Sequence, residues 1–133
     1  MAYELSWVIP SRVLLVEIEN VLPTDETIRL IDECHACVSS GQAPVHILID
    51  ATKIVNAPIN LQELTQLSKS MQNQDIGWWV LINPAKMIWF TASVVSKLLQ
   101  KKLKSAHSIQ EALRILERVD LTLDTQITLP VAM

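Results

Sequence analysis

The spacing of apolar and polar positions changes several times along the chain, and each change marks an element. Tyr3 to Val8 and Arg12 to Ile18 are β-rich runs separated by Ile9-Pro10-Ser11, which predicts an antiparallel hairpin at the start. Thr24 then offers a cap with Asp25 and Glu26 in the first turn. Ile28, Ile31, Cys34 and Val38 recur behind it at helical spacing, and Gly41 stops the run.

Val45-His46-Ile47-Leu48-Ile49-Asp50 is apolar toward both faces, as a strand inside a parallel sheet has to be, and it is expected to give way to a polar loop. Asn60 with Glu63 three residues on predicts a second helix whose buried stripe is Leu61, Leu64, Leu67 and Met71. Gly77 to Ile82 is another two-sided strand. Asn83 as cap and Pro84 at the first helical position then open a third helix running to about Leu99. Lys102 to His107 is a weaker strand whose lysines suit a sheet edge, where charge discourages pairing with another chain. Ser108 and Glu111 form the capping box of a fourth helix that turns Ile109, Ala112, Leu113, Leu116 and Val119 inward.

The order is β-β-α-β-α-β-α-β-α. Alternation after the hairpin, with right-handed crossovers, predicts an α/β fold in which the βα units form a mostly parallel sheet with four helices. No linker, repeat or low-complexity tract divides it, so residues 1–120 are expected to be one domain, with 121–133, carrying Pro130, as a C-terminal tail. A chain of 133 residues is long enough to bury roughly two-thirds of its unfolded surface around one core.

Composition sharpens this picture. Half of the residues are hydrophobic, mean hydropathy is +0.28 and 19% are charged, which excludes disorder and is apolar enough to direct attention to self-association. A net charge of −3 argues against nucleic acid, whose recognition rests on clustered lysine and arginine. The amino terminus, Met1 to Leu5, has no basic segment leading into an apolar one, and the longest apolar run, Trp78 to Ile82, is far short of the roughly 20 residues that span a bilayer. No transmembrane segment is expected, and the cytoplasm is the default location. Two cysteines, too few for a disulfide framework, fit a reducing compartment.

Candidate chemistry is sparse. Cys34-His35-Ala36-Cys37 has redox-motif spacing but falls late in its helix, where the dipole opposes a thiolate, and a zinc site needs two more ligands than the motif provides; buried structural cysteine is the favoured reading, and no metal or cofactor is expected. Asp50 ends a strand at the carboxyl edge of the sheet, where α/β proteins place their ligands, and with Thr52 and Asn56 it can line a polar mouth. The competing reading is a carboxylate that accepts hydrogen bonds from the backbone just after it. His107, before the Ser108 cap, marks a strand end rather than a general base. Only Gly41 and Gly77 are present, so no phosphate-cradling loop exists, and no acid, base and nucleophile can be named together for an enzyme.

The third helix is the most informative surface. Met87, Ile88, Trp89, Phe90, Val94, Val95, Leu98 and Leu99 spread over more than one stripe, so burying one face leaves apolar side chains elsewhere. Between Asp75 and Glu111 there is no acid, while Lys86, Lys97, Lys101, Lys102 and Lys104 all lie there. A second subunit covering the helix is one reading; contact of Lys97, Lys101, Lys102 and Lys104 with an anionic membrane surface is another.

The element order, the Leu48-Ile49-Asp50 strand end and the closing run from Leu103 through Ser108 to Leu113 resemble STAS domains, in particular the SpoIIAA-like branch sometimes grouped with SEC14-type lipid binders. The resemblance covers residues 3 to 119. It implies a regulatory module that works by protein-protein binding. STAS domains that antagonise anti-sigma factors carry a phosphorylatable serine after the strand ending in the aspartate. Here the corresponding stretch, Asn56 to Leu61, has no hydroxyl, and Thr52 sits too early to inherit the role. The expectation is a non-catalytic module acting on a protein partner or its own copy, as a homodimer. The alternative is a carrier of a small non-polar ligand or lipid with peripheral membrane association, its site drawn from Trp78, Trp79, Met87, Trp89, Phe90, Asp50 and Thr52.

Overall fold

The computed structural model describes residues 3–21, 24–56, 74–86, 89–90, 93–94, 97 and 102–123. The expected second helix, residues 124–133 of the expected tail, Met87 and Lys101 lie outside the described residues. Five strands form one sheet in sequence order: β1 (Tyr3–Ile9), β2 (Val13–Val21), β3 (Val45–Asn56), β4 (Ile76–Ile82) and β5 (Lys102–Ala106). The first pairing is antiparallel, and β2 with β3, β3 with β4 and β4 with β5 are parallel. The hairpin turns at Ser11, whose φ of 65° reverses the chain, and the turn carbonyls are then taken up by later backbone: Ser11 by Gln42 N–H and Arg12 by His46 N–H, both at 2.9 Å.

Alternation along the strands builds two cores. Leu14, Val16, Ile47 and Trp79 face α1 (Thr24–Ser40), which turns Leu30, Cys34 and Val38 onto them. Val13, Leu15, Leu48, Val80 and Ile82 point the other way and are covered by Ala112 and Leu116 of α2 (Ile109–Val119). The predicted capping box at the start of α2 forms with a shift. Ser108 Oγ accepts from Glu111 N–H at 3.1 Å, but the Glu111 carboxylate reaches back to the N–H of His107, one residue earlier than the usual partner.

Three expectations change. β3 does not yield to a loop after Asp50 but continues to Asn56, because β2 also runs on past Ile18 and supplies partners, Glu19 for Lys53 and Asn20 for Ile54, across register shifts that absorb the mismatch. The helix after β4 starts later than the Asn83-Pro84 signal predicts. Asn83 has a φ of 50° and its N–H is bonded to Ala106 O at 2.8 Å, so the first helical bond is from Trp89 N–H to Ala85 O; residues 86, 89–90, 93–94 and 97 are helical. The folded unit also runs past residue 120. A 3-10 turn, Leu121–Leu123, buries Leu123 completely in the α2 core.

Candidate functional site

Polar side chains gather at both ends of the parallel strands. At the amino end lies a buried cluster. Arg12 and His46 are the buried polar residues among those described, and both converge on Asp120, the residue that closes α2. Asp120 Oδ2 accepts from Arg12 at 2.8 Å and from His46 Nε2 at 2.8 Å, while Oδ1 accepts from Thr122 N–H at 3.0 Å and from the Thr122 hydroxyl. Arg12 also donates to Thr122 Oγ1 at 2.8 Å and to Pro44 O at 3.2 Å. His46 Nδ1 accepts from Trp78 N–H at 2.9 Å, which fixes the neutral tautomer with its proton on Nε2. The ring lies against Gly77, where a Cβ would stand 2.5 Å from Cε1.

Electrostatics agree with this geometry. Burial holds the His46 pKa below its ordinary value of 6.5 despite the neighbouring carboxylate. Burial pushes Asp120 upward, but the hydrogen bonds from Thr122 and His46 outweigh it and leave the carboxyl below its ordinary 3.8. Both imidazole nitrogens are committed, and the one hydroxyl in the cluster donates to Asp120 and accepts from Arg12. The cluster ties the β1–β2 turn, β3, β4 and the end of α2 together and offers no poised nucleophile. Nothing in the reading of motifs pointed to it. The available signal was a histidine set among the apolar residues of β3.

At the carboxyl end, Asp50 Oδ1 accepts from Thr52 N–H at 3.0 Å, the local role weighed for it above, and Thr52 Oγ1 accepts from Asn83 Nδ2 at 3.4 Å. Beyond Asn83 an open groove of about 330 Å³ runs between Asn83, Pro84, Lys86 and Trp89 on one side and Ser105 to His107 on the other. His107 Nδ1 lies 3.2 Å from Glu111 Oε2. This rim is where parallel sheets present their loops.

The described candidate ligand residues are spread over both faces and the carboxyl rim of the sheet. Trp78 and Trp79 point to opposite faces, Trp79 into the α1 core and Trp78 toward α2. Trp89 lines the rim groove, and Phe90 is 68% exposed. Trp78 is instead joined to two of the expected basic contacts, with Lys102 Nζ 5.4 Å and Lys104 Nζ 5.0 Å from its ring centroid. Lys97 is exposed on the helical stretch. Cys34 is buried, its thiol pushed up to about 12 by burial first and by Cys37 and Glu33 after it; burial and Glu33 raise Cys37 as well. Both thiols are free and stay protonated. No group of three or more metal-ligating side chains occurs among the described residues. Nor is any helix there long and apolar enough to cross a membrane.

No family model matches the chain, and no curated protein does. Solved structures do. The anti-sigma factor antagonist SpoIIAA in its unphosphorylated form superposes with a TM-score of 0.62 at 14% identity, over 89% of this chain and 96% of that one. An uncharacterized DUF3478-family protein with a SpoIIAA-like fold, from Shewanella loihica, superposes with a TM-score of 0.61 at 13% identity, over 86% of this chain and 92% of its own. The hairpin-led sheet flanked by α1 and α2 thus has the architecture that the resemblance implied, and the chain has a SpoIIAA-like fold.

Proposed function

We propose that this domain is a non-catalytic interaction module that associates with a second copy of itself through the Phe90 face of the helical residues 90, 93–94 and 97, leaving the rim groove open. The observation that carries the reading is Phe90, 68% exposed beside the half-buried Trp89. Large aromatic side chains in such positions are typical anchors of interfaces. Charge favours a copy of the same chain as the occupant. Residues 1–75 hold 10 acidic and 4 basic side chains, whereas residues 76–133 hold 4 acidic and 7 basic ones. Because β1 to β3 fall in the first part and β4 and β5 in the second, sheet order separates the two signs. A two-fold arrangement in which the helical residues of each copy reach across to the β1–β3 side of the other sets opposite signs together. SpoIIAA, described as the antagonist of an anti-sigma factor, supports a protein-binding use of the same scaffold. The absence of a hydroxyl from Asn56 to Leu61 supports binding that is not switched by phosphorylation there.

Sedimentation velocity tests this at about 100 µM chain, where a dimer with Kd below about 10 µM is mostly assembled. The wild type should sediment as a dimer that weakens in about 0.5 M salt, and Phe90→Asp should be monomeric with an unchanged far-ultraviolet circular dichroism spectrum. A wild-type monomer at low salt contradicts the reading. A second reading, peripheral contact with an anionic membrane or lipid, is favoured by the Trp78 ring lying under Lys102 and Lys104, a pairing of aromatic and basic groups suited to a headgroup layer.

A further inference from the structure

The groove at the carboxyl rim has a chemistry of its own, independent of self-association. Its walls are apolar: the half-buried Trp89, Pro84 and the buried Ala106. Among the described residues its polar lining is the Lys86 ammonium, the His107 imidazole, the Ser105 hydroxyl and the Asn83 amide, with no carboxylate. The adjacent carboxylate, Glu111, accepts from the His107 N–H and meets the imidazole at Nδ1, so the opposite ring nitrogen faces away from it. No acidic residue occurs from position 76 to 110, so the chain on both sides of the groove is uniformly basic. About 330 Å³ is at the small end of the range for ligand sites, enough for a single ring and its charged substituent.

We infer that this groove binds a small organic anion, a planar apolar ring lying on Trp89 with its carboxylate or phosphate held by Lys86 and His107. Another groove, bounded by Arg114, Glu117, Arg118 and Leu121, has a larger volume of about 530 Å³ but includes a carboxylate and, among the described residues, no aromatic wall. It is the internal control.

The test is a nitrogen-15 titration of the full chain with three probes: phenyl phosphate, inorganic phosphate and benzyl alcohol. Phenyl phosphate should give saturable shifts at the Trp89 indole N–H and at the amides of Asn83, Lys86 and Ser105 to His107, with Kd on the order of 1 mM or tighter. Inorganic phosphate and benzyl alcohol, each lacking half of the recognised chemistry, should bind at least about tenfold more weakly, and Lys86→Gln should weaken phenyl phosphate by about tenfold. Lys86 is exposed, so this variant should fold as the wild type does. The inference is overturned if no saturable shift appears by about 10 mM. It is equally overturned if benzyl alcohol matches phenyl phosphate, if Lys86→Gln leaves affinity unchanged, or if the shifts centre on Arg114 and Arg118.

Discussion

Asp120→Ala should lower the unfolding free energy by about 3–5 kcal/mol, because it leaves the buried Arg12 guanidinium and the His46 Nε2–H without their common acceptor. For a domain whose total stability is on the order of 5–15 kcal/mol this is a large fraction. Arg12 and Asp120 side chains are only 7% and 11% exposed, so the discount that applies to surface ion pairs is small. Urea unfolding followed by circular dichroism measures the loss, and a value under about 1 kcal/mol would place the pair with ordinary surface bridges. The pH dependence has a definite sign. His46 is held below 6.5 in the folded state, so the unfolded chain takes up that proton more readily and stability falls as pH drops below 6.5. Asp120 is held below 3.8, and its contribution is present above that value and is lost as pH falls through its folded pKa. Both groups therefore weaken the fold in acid, the histidine first, and the lower step should be missing in Asp120→Ala.

Gly77→Ala should cost about 2–4 kcal/mol, the sum of overpacking against a ring that cannot yield and the loss of the hydrogen bond from Trp78 N–H. A Cβ at position 77 would stand 2.5 Å from His46 Cε1 and 2.6 Å from Nδ1, and the ring is held from both sides by Asp120 and the Trp78 backbone. A double-mutant cycle isolates the cause. With His46→Ala in the background the obstruction is gone, and Gly77→Ala should then cost less than about 1 kcal/mol. Equal costs in both backgrounds would show that the strain lies in the backbone and not in the contact with the imidazole.

Much of this architecture can be read from the sequence because it depends on periodicity. The two-sided runs at Val45 and Gly77 become interior parallel strands, and Cys34 and Val38 of the predicted stripe lie in one core, joined there by Leu30 where the spacing points to Ile28 and Ile31. Boundaries are less legible where a partner far away in sequence decides them. β3 runs on to Asn56 because β2 supplies a continuation, and the helix after β4 starts late because Asn83 is drawn to Ala106. The site was hardest to read. Arg12 and Asp120 are 108 positions apart and meet only once the hairpin and the end of α2 are packed against the same strand edge. Trp78 and Trp79 are neighbours in sequence, yet strand alternation separates them, so grouping them as one aromatic cluster could not hold in a sheet.

The two ends of the one sheet differ in character. The buried histidine and aspartate at the amino end hold the fold together, while the ligand groove we infer lies at the carboxyl rim. Imidazole nitrogen resonances of His46, followed by two-dimensional NMR across pH 4.5 to 8, test this most directly. The structure predicts a single neutral form, protonated on Nε2 and unprotonated on Nδ1, that does not titrate around its ordinary 6.5 while the protein remains folded. A midpoint near 6.5 with fast exchange between tautomers would mean that Nδ1 is released from Trp78 and available for proton transfer, and the reading of this cluster as a structural clamp would be wrong.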